Sequence, residues 1–199
     1  APNPASAIAG FEAKLRANTQ QRDAANYGLA LGYLKAGKHA EARKILAALI
    51  VKKPFELAFQ HSNIELDIAV EDYDGALLKL DRLLLQNPDN YPLTRLKSEA
   101  LWQAHRYEES GQVLTGLSRK RSQDPMIWYR LAEVRGLAGN ISGVHQARAE
   151  YFILVGGFDM AREQLTLAAK LVVADFTRSA IIRQRLRDVV AMEDRLRKL

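Results

Sequence analysis

The sequence predicts an all-α fold, a solenoid of about eleven helices in which the same pattern returns every 34 residues. Small residues or a valine occur at that interval, at Ala42, Ala76, Ser110 and Val144. Leucines follow the first three of them four and seven positions later, which places them on one face of a helix. No segment alternates polar and apolar residues over a strand length, so a sheet is not expected.

Each of these anchor residues belongs to the second helix of a helix-turn-helix unit. A first helix lies upstream of each anchor, with contact points that are again 34 residues apart: Ala30, Ile64, Ser98 and Ala132. Small residues at such points let two helix backbones approach closely. Gly37 follows the first of these helices, where a left-handed cap is expected.

The second unit departs most from the pattern. Asn63 and Asp67 stand where helical repeats of this spacing usually have apolar or aromatic residues. Either side chain would be costly to bury without a polar partner. We therefore expect this helix to be slightly rotated.

The repeat spacing predicts three segments. Residues 1–20 correspond to the second half of a unit, with the helix over Ser6–Asn18, and we expect the chain to be part of a larger protein. Residues 21–173 form the repeats, with a half-repeat step at 142–158 because Val144 and Ala161 are only 17 apart. Residues 174–199 form a capping helix.

The last helix is predicted to run from a cap at Asp175 to about Lys198. Its apolar stripe consists of Ile182, Leu186, Val189, Met192, Leu196 and Leu199. A terminal repeat needs a cover with a polar outer face, which favours this capping role over pairing with another chain.

Composition and motifs argue against several classes of function. The net charge is +6, and residues 178–199 carry seven Lys or Arg against three Asp or Glu. Such a helix could bind an anion, although a solvated face is the favoured interpretation and no nucleic-acid partner is expected. No apolar run reaches membrane-spanning length. None of the four histidines belongs to an H-E-x-x-H pattern, and no other catalytic motif occurs, so we expect no catalytic, cofactor-binding or metal-binding residue in this chain.

The spacing resembles that of the tetratricopeptide-repeat family, whose stacked units form a superhelix. In that family the first helices line a concave groove, which implies protein binding. The groove candidates for partner binding are Tyr27, His61, Arg95, Glu99, Trp102, Tyr129, Glu133 and Glu150. Aromatic residues dominate binding hot spots, but Tyr27 and Trp102 fit equally well as packing between repeats.

A narrower resemblance rests on Asp124-Pro125, residues 128–133, Gly139-Asn140, residues 144–152 and Phe158-Asp159. These segments are similar to the C-terminal repeat domain of the BepA-type proteases, periplasmic zinc metallopeptidases of Gram-negative bacteria that assist outer-membrane β-barrel assembly. The resemblance is strongest over residues 124–199 and is only repeat-level before them.

The resemblance implies a catalytic domain, with its zinc, N-terminal to this chain. The chain itself would recognise partners in the periplasm: the barrel-assembly machinery, barrel precursors or its own protease domain. Two alternatives stay open, a generic peptide-binding adaptor and an anion-binding module that uses the basic last helix.

The half-repeat step leads to one more expectation. The helix over residues 142–155 must pack on two sides and should be buried. The last two helices should then fold back and form a pocket lined by Trp102, Tyr129 and Glu133.

Overall fold

The computed structural model of the protein describes residues 3–17 and 20–196. These residues form eleven α-helices joined by turns, and they contain no strand. The predicted all-α fold and its helix number are confirmed. In chain order the helices are α1 (Pro4–Arg16), α2 (Arg22–Lys35), α3 (His39–Lys52), α4 (Leu57–Ala69), α5 (Tyr73–Gln86), α6 (Tyr91–Gln103), α7 (Tyr107–Lys120), α8 (Pro125–Leu137), α9 (Ile141–Leu154), α10 (Phe158–Leu171) and α11 (Phe176–Leu196).

The 34-residue register of buried contact points is confirmed. Ala42, Ala76 and Ser110 are fully buried, and Val144 is nearly so. The first-helix points Ala30, Ile64, Ser98 and Ala132 are buried as well. The hydroxyl of Ser110 donates a hydrogen bond of 2.8 Å to the carbonyl oxygen of Ser98, so this polar anchor is satisfied inside the core.

The turns between helices carry a second periodic signal, a left-handed residue that returns with the same 34-residue spacing. Gly37 has a left-handed backbone, with φ of 70°, as predicted for its cap. Left-handed residues return at Glu71, His105 and Gly139, each 34 residues further on, and then at Gly156 after only 17. The turn positions thus show the same half-repeat step as the anchors Val144 and Ala161.

The helices form two units that divide after Leu96. In the first unit, α1 packs on α2, α2 on α3, and α3 on α4. A cluster of buried residues holds α2, α3 and α4 together: Ala30, Ala42, Leu46 and Leu66. The predicted first helix ends at Arg16, and Asn18 lies outside the described residues. Its origin as half of a repeat stays a prediction.

Asp67 of α4 is fully buried, but it does not lack partners. Arg43 of α3 donates to its Oδ1 at 2.9 Å, and the Lys79 ammonium of α5 pairs with its Oδ2. The two cations compensate the burial that the sequence analysis identified as costly. The predicted rotation of this helix stays a prediction.

In the second unit, α9 packs against both α8 and α10. Its residues Gly143, Val144, Ala147 and Ala149 are buried, and 151–154 are half-buried, so the predicted burial of this helix is confirmed. Two positions differ: Arg148, aligned with a core leucine of the other units, is exposed, and so is the terminal Val155. Val155 is the C-cap residue, one position past the end of α9.

Helix α11 packs on α10 and begins where the sequence predicts, because the Asp175 carboxylate accepts a hydrogen bond of 2.9 Å from the Arg178 amide. Ile182 and Val189 are buried in a core with residues of α9 and α10. The stripe is shorter than predicted, since Leu196 is 56% exposed. The last stripe residue, Leu199, and the predicted helix end, Lys198, lie outside the described residues.

Candidate partner-binding site

A cavity of about 450 Å³ opens within the second unit, between α11 and the helices that it covers. We call it the C-terminal pocket. Its apolar wall consists of Trp128, Leu165, Ile181 and Ile182. Polar residues complete the lining, contributed by α7, α8, α9 and α11: Thr115, Ser118, Arg119, Arg135, Gln146, Glu150, Gln184, Arg185 and Asp188.

The wall contributed by α8 follows from its local sequence. Pro125 opens the helix, and the Asp124 carboxylate caps it by accepting a hydrogen bond of 3.0 Å from the Met126 amide. Trp128 and Arg135 are seven residues apart, about two turns, and therefore face the same side. The Trp128 indole donates to the carbonyl oxygen of Ser122 at 2.9 Å, which fixes the ring at the pocket.

A salt bridge fastens α11 across α9. The Arg185 guanidinium donates two hydrogen bonds to the Glu150 carboxylate, at 2.7 and 2.5 Å. Both side chains are half-buried, and the hydrogen bonds that Arg185 donates to Glu150 raise the pKa of Arg185. A second pair, Arg162 with Glu193, joins α10 to α11. The helix that closes the pocket is thus held by paired charges as well as by its apolar stripe.

Arg135 has a different environment. Its guanidinium donates to the carbonyl oxygen of Gly143 at 3.1 Å and to the hydroxyl of Thr115 at 3.2 Å. Burial lowers the pKa of Arg135. The structure gives it no ion pair with any carboxylate of residues 3–17 and 20–196, whereas Arg185 on the same pocket has one.

Three of the eight predicted groove residues lie in the first unit. The Tyr27 hydroxyl donates to the Ala58 carbonyl oxygen at 3.1 Å, and its ring packs at a tilt against that of Phe59, with the ring centroids 5.0 Å apart. Tyr27 therefore packs between α2 and α4. His61 pairs with Glu65 at 3.4 Å, and its hydrogen bond lowers the pKa of Glu65. Arg95 is exposed on α6.

The other five lie in the second unit. Trp102 and Tyr129 expose 36% and 45% of their surface, and the Tyr129 ring is 5.9 Å from that of Tyr151. Glu99 accepts a hydrogen bond of 3.1 Å from the Gln103 amide, and Glu133 one of 3.0 Å from Arg130. Glu150 is the one predicted residue that lines the C-terminal pocket. A role in partner binding stays a prediction for all eight.

The pocket beneath α11 is not the one predicted from the sequence, and a pocket lined by the three predicted residues stays a prediction. A pocket forms beneath α11, but Trp102, Tyr129 and Glu133 do not line it. The reason is a difference of one position on α8, which turns a side chain by about 100°. Trp128 and Arg135 face α11, and Tyr129 faces Tyr151 of α9 instead.

The residues that define the pocket, above all Arg119, Trp128 and Arg135, were not predicted from the sequence as binding residues. One signal was present: Gly143, inside α9, leaves room for the stem of Arg135, since a Cβ there would stand 2.8 Å from the Arg135 Cδ. The pocket itself depends on where α11 lies, which no spacing within α7 or α8 reveals.

Two further properties concern only the described part of the chain. None of its helices combines the length and the apolarity that a membrane crossing requires. No group of three or more His, Cys, Asp or Glu side chains that could hold a metal occurs within it.

Comparison with known proteins places the fold in a class. The Tetratricopeptide repeat family matches residues 67–134. A tetratricopeptide repeat protein from Parabacteroides merdae superposes with a TM-score of 0.60 at 14% identity, over 94% of this chain and 78% of that protein. MamA from Desulfovibrio magneticus RS-1 gives 0.59 at 14% identity, over 87% and 96%. The fold is an all-α tetratricopeptide-repeat fold.

The sequence comparisons indicate a more specific similarity than the fold does. The Beta-barrel assembly-enhancing protease of Escherichia coli is 29% identical over 159 residues, which cover 79% of this chain and 32% of that protein. The protein of the same name from Yersinia pestis is 24% identical over 183 residues, 92% of this chain and 38% of its own length. The chain resembles the repeat part of these proteases and spans about a third of their length. The fold and these similarities support a role in protein–protein interaction.

Proposed function

We propose that this chain is the partner-recruiting repeat domain of a periplasmic zinc metallopeptidase that acts in the assembly and quality control of outer-membrane β-barrel proteins. The observation that carries the proposal is the similarity to Beta-barrel assembly-enhancing proteases over 79% of the chain. The catalytic zinc and its ligands would belong to the part of the protein that corresponds to the remaining two thirds of those relatives.

The structure supports a binding role for the repeats. Trp102 and Tyr129 are large aromatic side chains that remain partly exposed, and such residues supply most of the energy of many interfaces. Both stand on first helices of their units, α6 and α8, which line the groove in related repeat folds. The partners we propose are the barrel-assembly machinery, stalled barrel precursors and the protease domain itself.

An exchange of repeat domains tests this function. The repeat segment of the Escherichia coli Beta-barrel assembly-enhancing protease is replaced by this chain, and the hybrid is purified from a strain that lacks the natural protease. The control hybrid carries the repeats of MamA from Desulfovibrio magneticus RS-1, which match the fold at a TM-score of 0.59 but only 14% in sequence. Mass spectrometry identifies the proteins that remain bound to each.

We expect outer-membrane barrel-assembly proteins to co-purify with the first hybrid and not with the control. If both hybrids recover them equally, the repeats do not select the partner. If neither does while both are folded, the chain is an adaptor for other proteins, and the proposed function is wrong.

A further inference from the structure

The C-terminal pocket contains more positive charge than its own carboxylates compensate. Three arginines line it, Arg119, Arg135 and Arg185, against the two carboxylates Glu150 and Asp188. Glu150 is paired with Arg185, which donates two hydrogen bonds to it. Asp188 accepts a hydrogen bond of 2.8 Å from the Gln184 amide and lies 4.0 Å from Arg185. Neither carboxylate pairs with Arg119 or Arg135 in the described structure.

Neighbouring residues hold the Arg135 side chain in place. The Thr115 hydroxyl that accepts from it is itself oriented, because it donates to the carbonyl oxygen of Gly111 at 2.7 Å. Gly143 supplies both a carbonyl acceptor and the space for the Arg135 stem. These contacts use two of the five N–H donors of a guanidinium. The others remain available to a ligand that carries negative charge.

Arg119 reinforces that charge from the neighbouring helix. It follows Thr115 by four residues on α7, so both side chains occupy the same face, toward the pocket. Unlike Arg135 it is exposed. A carboxylate that enters the pocket can therefore meet a partly desolvated arginine inside and a solvated one at the rim, and hydrogen bonds of this charge-assisted kind are the strong ones.

The remaining wall selects an apolar group beside that carboxylate. Trp128, Leu165 and Ile182 provide it, and Ile181 stays 61% exposed, an apolar side chain without full cover. Gln146 also lines the cavity; its amide nitrogen donates to the Ser142 hydroxyl, and its amide oxygen can accept from a peptide N–H. A volume of about 450 Å³ lies within the range of pockets that bind small ligands.

We propose that the C-terminal pocket binds the last residue of a polypeptide chain, with its free carboxylate on Arg135 and Arg119 and an apolar side chain against Trp128 and Ile181. An internal Asp or Glu fits less well, because the chain would enter and leave the pocket, and its backbone groups would need partners along an apolar wall. At a chain end, the backbone enters the pocket from one side only, so fewer backbone groups need partners there. The proposal goes beyond the role in barrel assembly and does not depend on it.

Peptide binding to the purified chain tests the proposal. Two fluorescein-labelled hexapeptides have the same sequence and end in leucine, one with a free carboxylate and one with a C-terminal amide. A third has the amide and a glutamate inside the sequence. Fluorescence anisotropy should show the free acid binding about tenfold or more tightly than either amide, since hydrogen bonds between charged groups contribute that much.

Variants then locate the site. Arg135→Gln and Arg119→Gln should each reduce the difference between acid and amide, and the exposed Arg119 can be replaced without disturbing the core. Arg183→Gln on α11 removes the same charge outside the pocket and should leave binding unchanged. Thermal unfolding of each variant shows that it is folded.

Several results would overturn the proposal: equal binding of acid and amide, no binding of either, equal binding of the peptide with the internal glutamate, or an equal effect of Arg183→Gln. Hexanoate is added as a competitor. If it displaces the free acid at the peptide's own concentration, the pocket recognises a small carboxylate and not a chain end.

Discussion

At each of five turns between helices, one residue has a left-handed backbone, which is unfavourable for any residue other than glycine. Gly37, Gly139 and Gly156 adopt left-handed backbone conformations without penalty, because glycine has no Cβ. Glu71 and His105 occupy the equivalent turns with φ of 63° and 59°. A residue with a Cβ pays about 1–2 kcal/mol there. The turns at Glu71 and His105 are therefore less stable than they would be with glycine at the same positions.

Glu71→Gly should stabilise the protein. The exposed glutamate leaves a strained backbone position, so the free energy of unfolding should rise by roughly 0.5–1 kcal/mol in urea denaturation. Glu41→Gly is the matched control, since Glu41 is exposed inside α3, where glycine costs about 0.5–1 kcal/mol. Equal destabilisation by both variants would contradict the left-handed turn at Glu71.

Gly143→Ala should destabilise the protein, because the added Cβ would meet the Arg135 stem and the Asn140 amide that caps α9, both at 2.8 Å. Overpacking of this kind costs about 1–3 kcal/mol. Gly116→Ala in α7 meets nothing within 4 Å and should instead stabilise by up to about 1 kcal/mol. Chemical denaturation compares the two, and a neutral Gly143→Ala would show that the space beside Arg135 is not needed.

At the scale of the elements, α9 and α11 determine what the second unit can do. The dual packing of α9 was predictable, because the 17-residue step between Val144 and Ala161 forces one helix to serve two neighbours. The lining of the pocket was not, because it depends on a contact between Glu150 and Arg185, 35 residues away. Periodicity predicts which side of a helix is buried, but not which distant helix covers it.

The salt bridge from Arg185 to Glu150 should contribute to the seating of α11. Arg185→Ala would leave the half-buried Glu150 without its partner, and we expect a loss of about 1–3 kcal/mol in the free energy of unfolding. Amide hydrogen exchange should accelerate in α11 more than in α8. Arg183→Ala, an exposed residue of the same helix, is the control. Unchanged exchange in α11 would mean that the apolar stripe alone holds it.

At the scale of the whole molecule, repeats of this kind provide surface for binding, and the repeat fold was predictable from the sequence. The 34-residue spacing alone was sufficient for the fold, since each anchor must be buried against a neighbouring helix. The choice of binding residues was harder: Tyr27 turns out to pack between helices, whereas Trp102 and Tyr129 keep exposed surface. Exposure depends on neighbours that a single-helix pattern does not identify.

The central claim is that this chain recruits barrel-assembly partners, and site-specific photo-crosslinking tests it most directly. A photoreactive phenylalanine replaces Trp102, Tyr129 or, as a control, the exposed Val51 in the hybrid protease inside Escherichia coli cells. The account predicts crosslinks to outer-membrane barrel-assembly proteins from positions 102 and 129 and none from position 51. Crosslinks to those proteins from Val51 alone, or from none of the three positions, would contradict it.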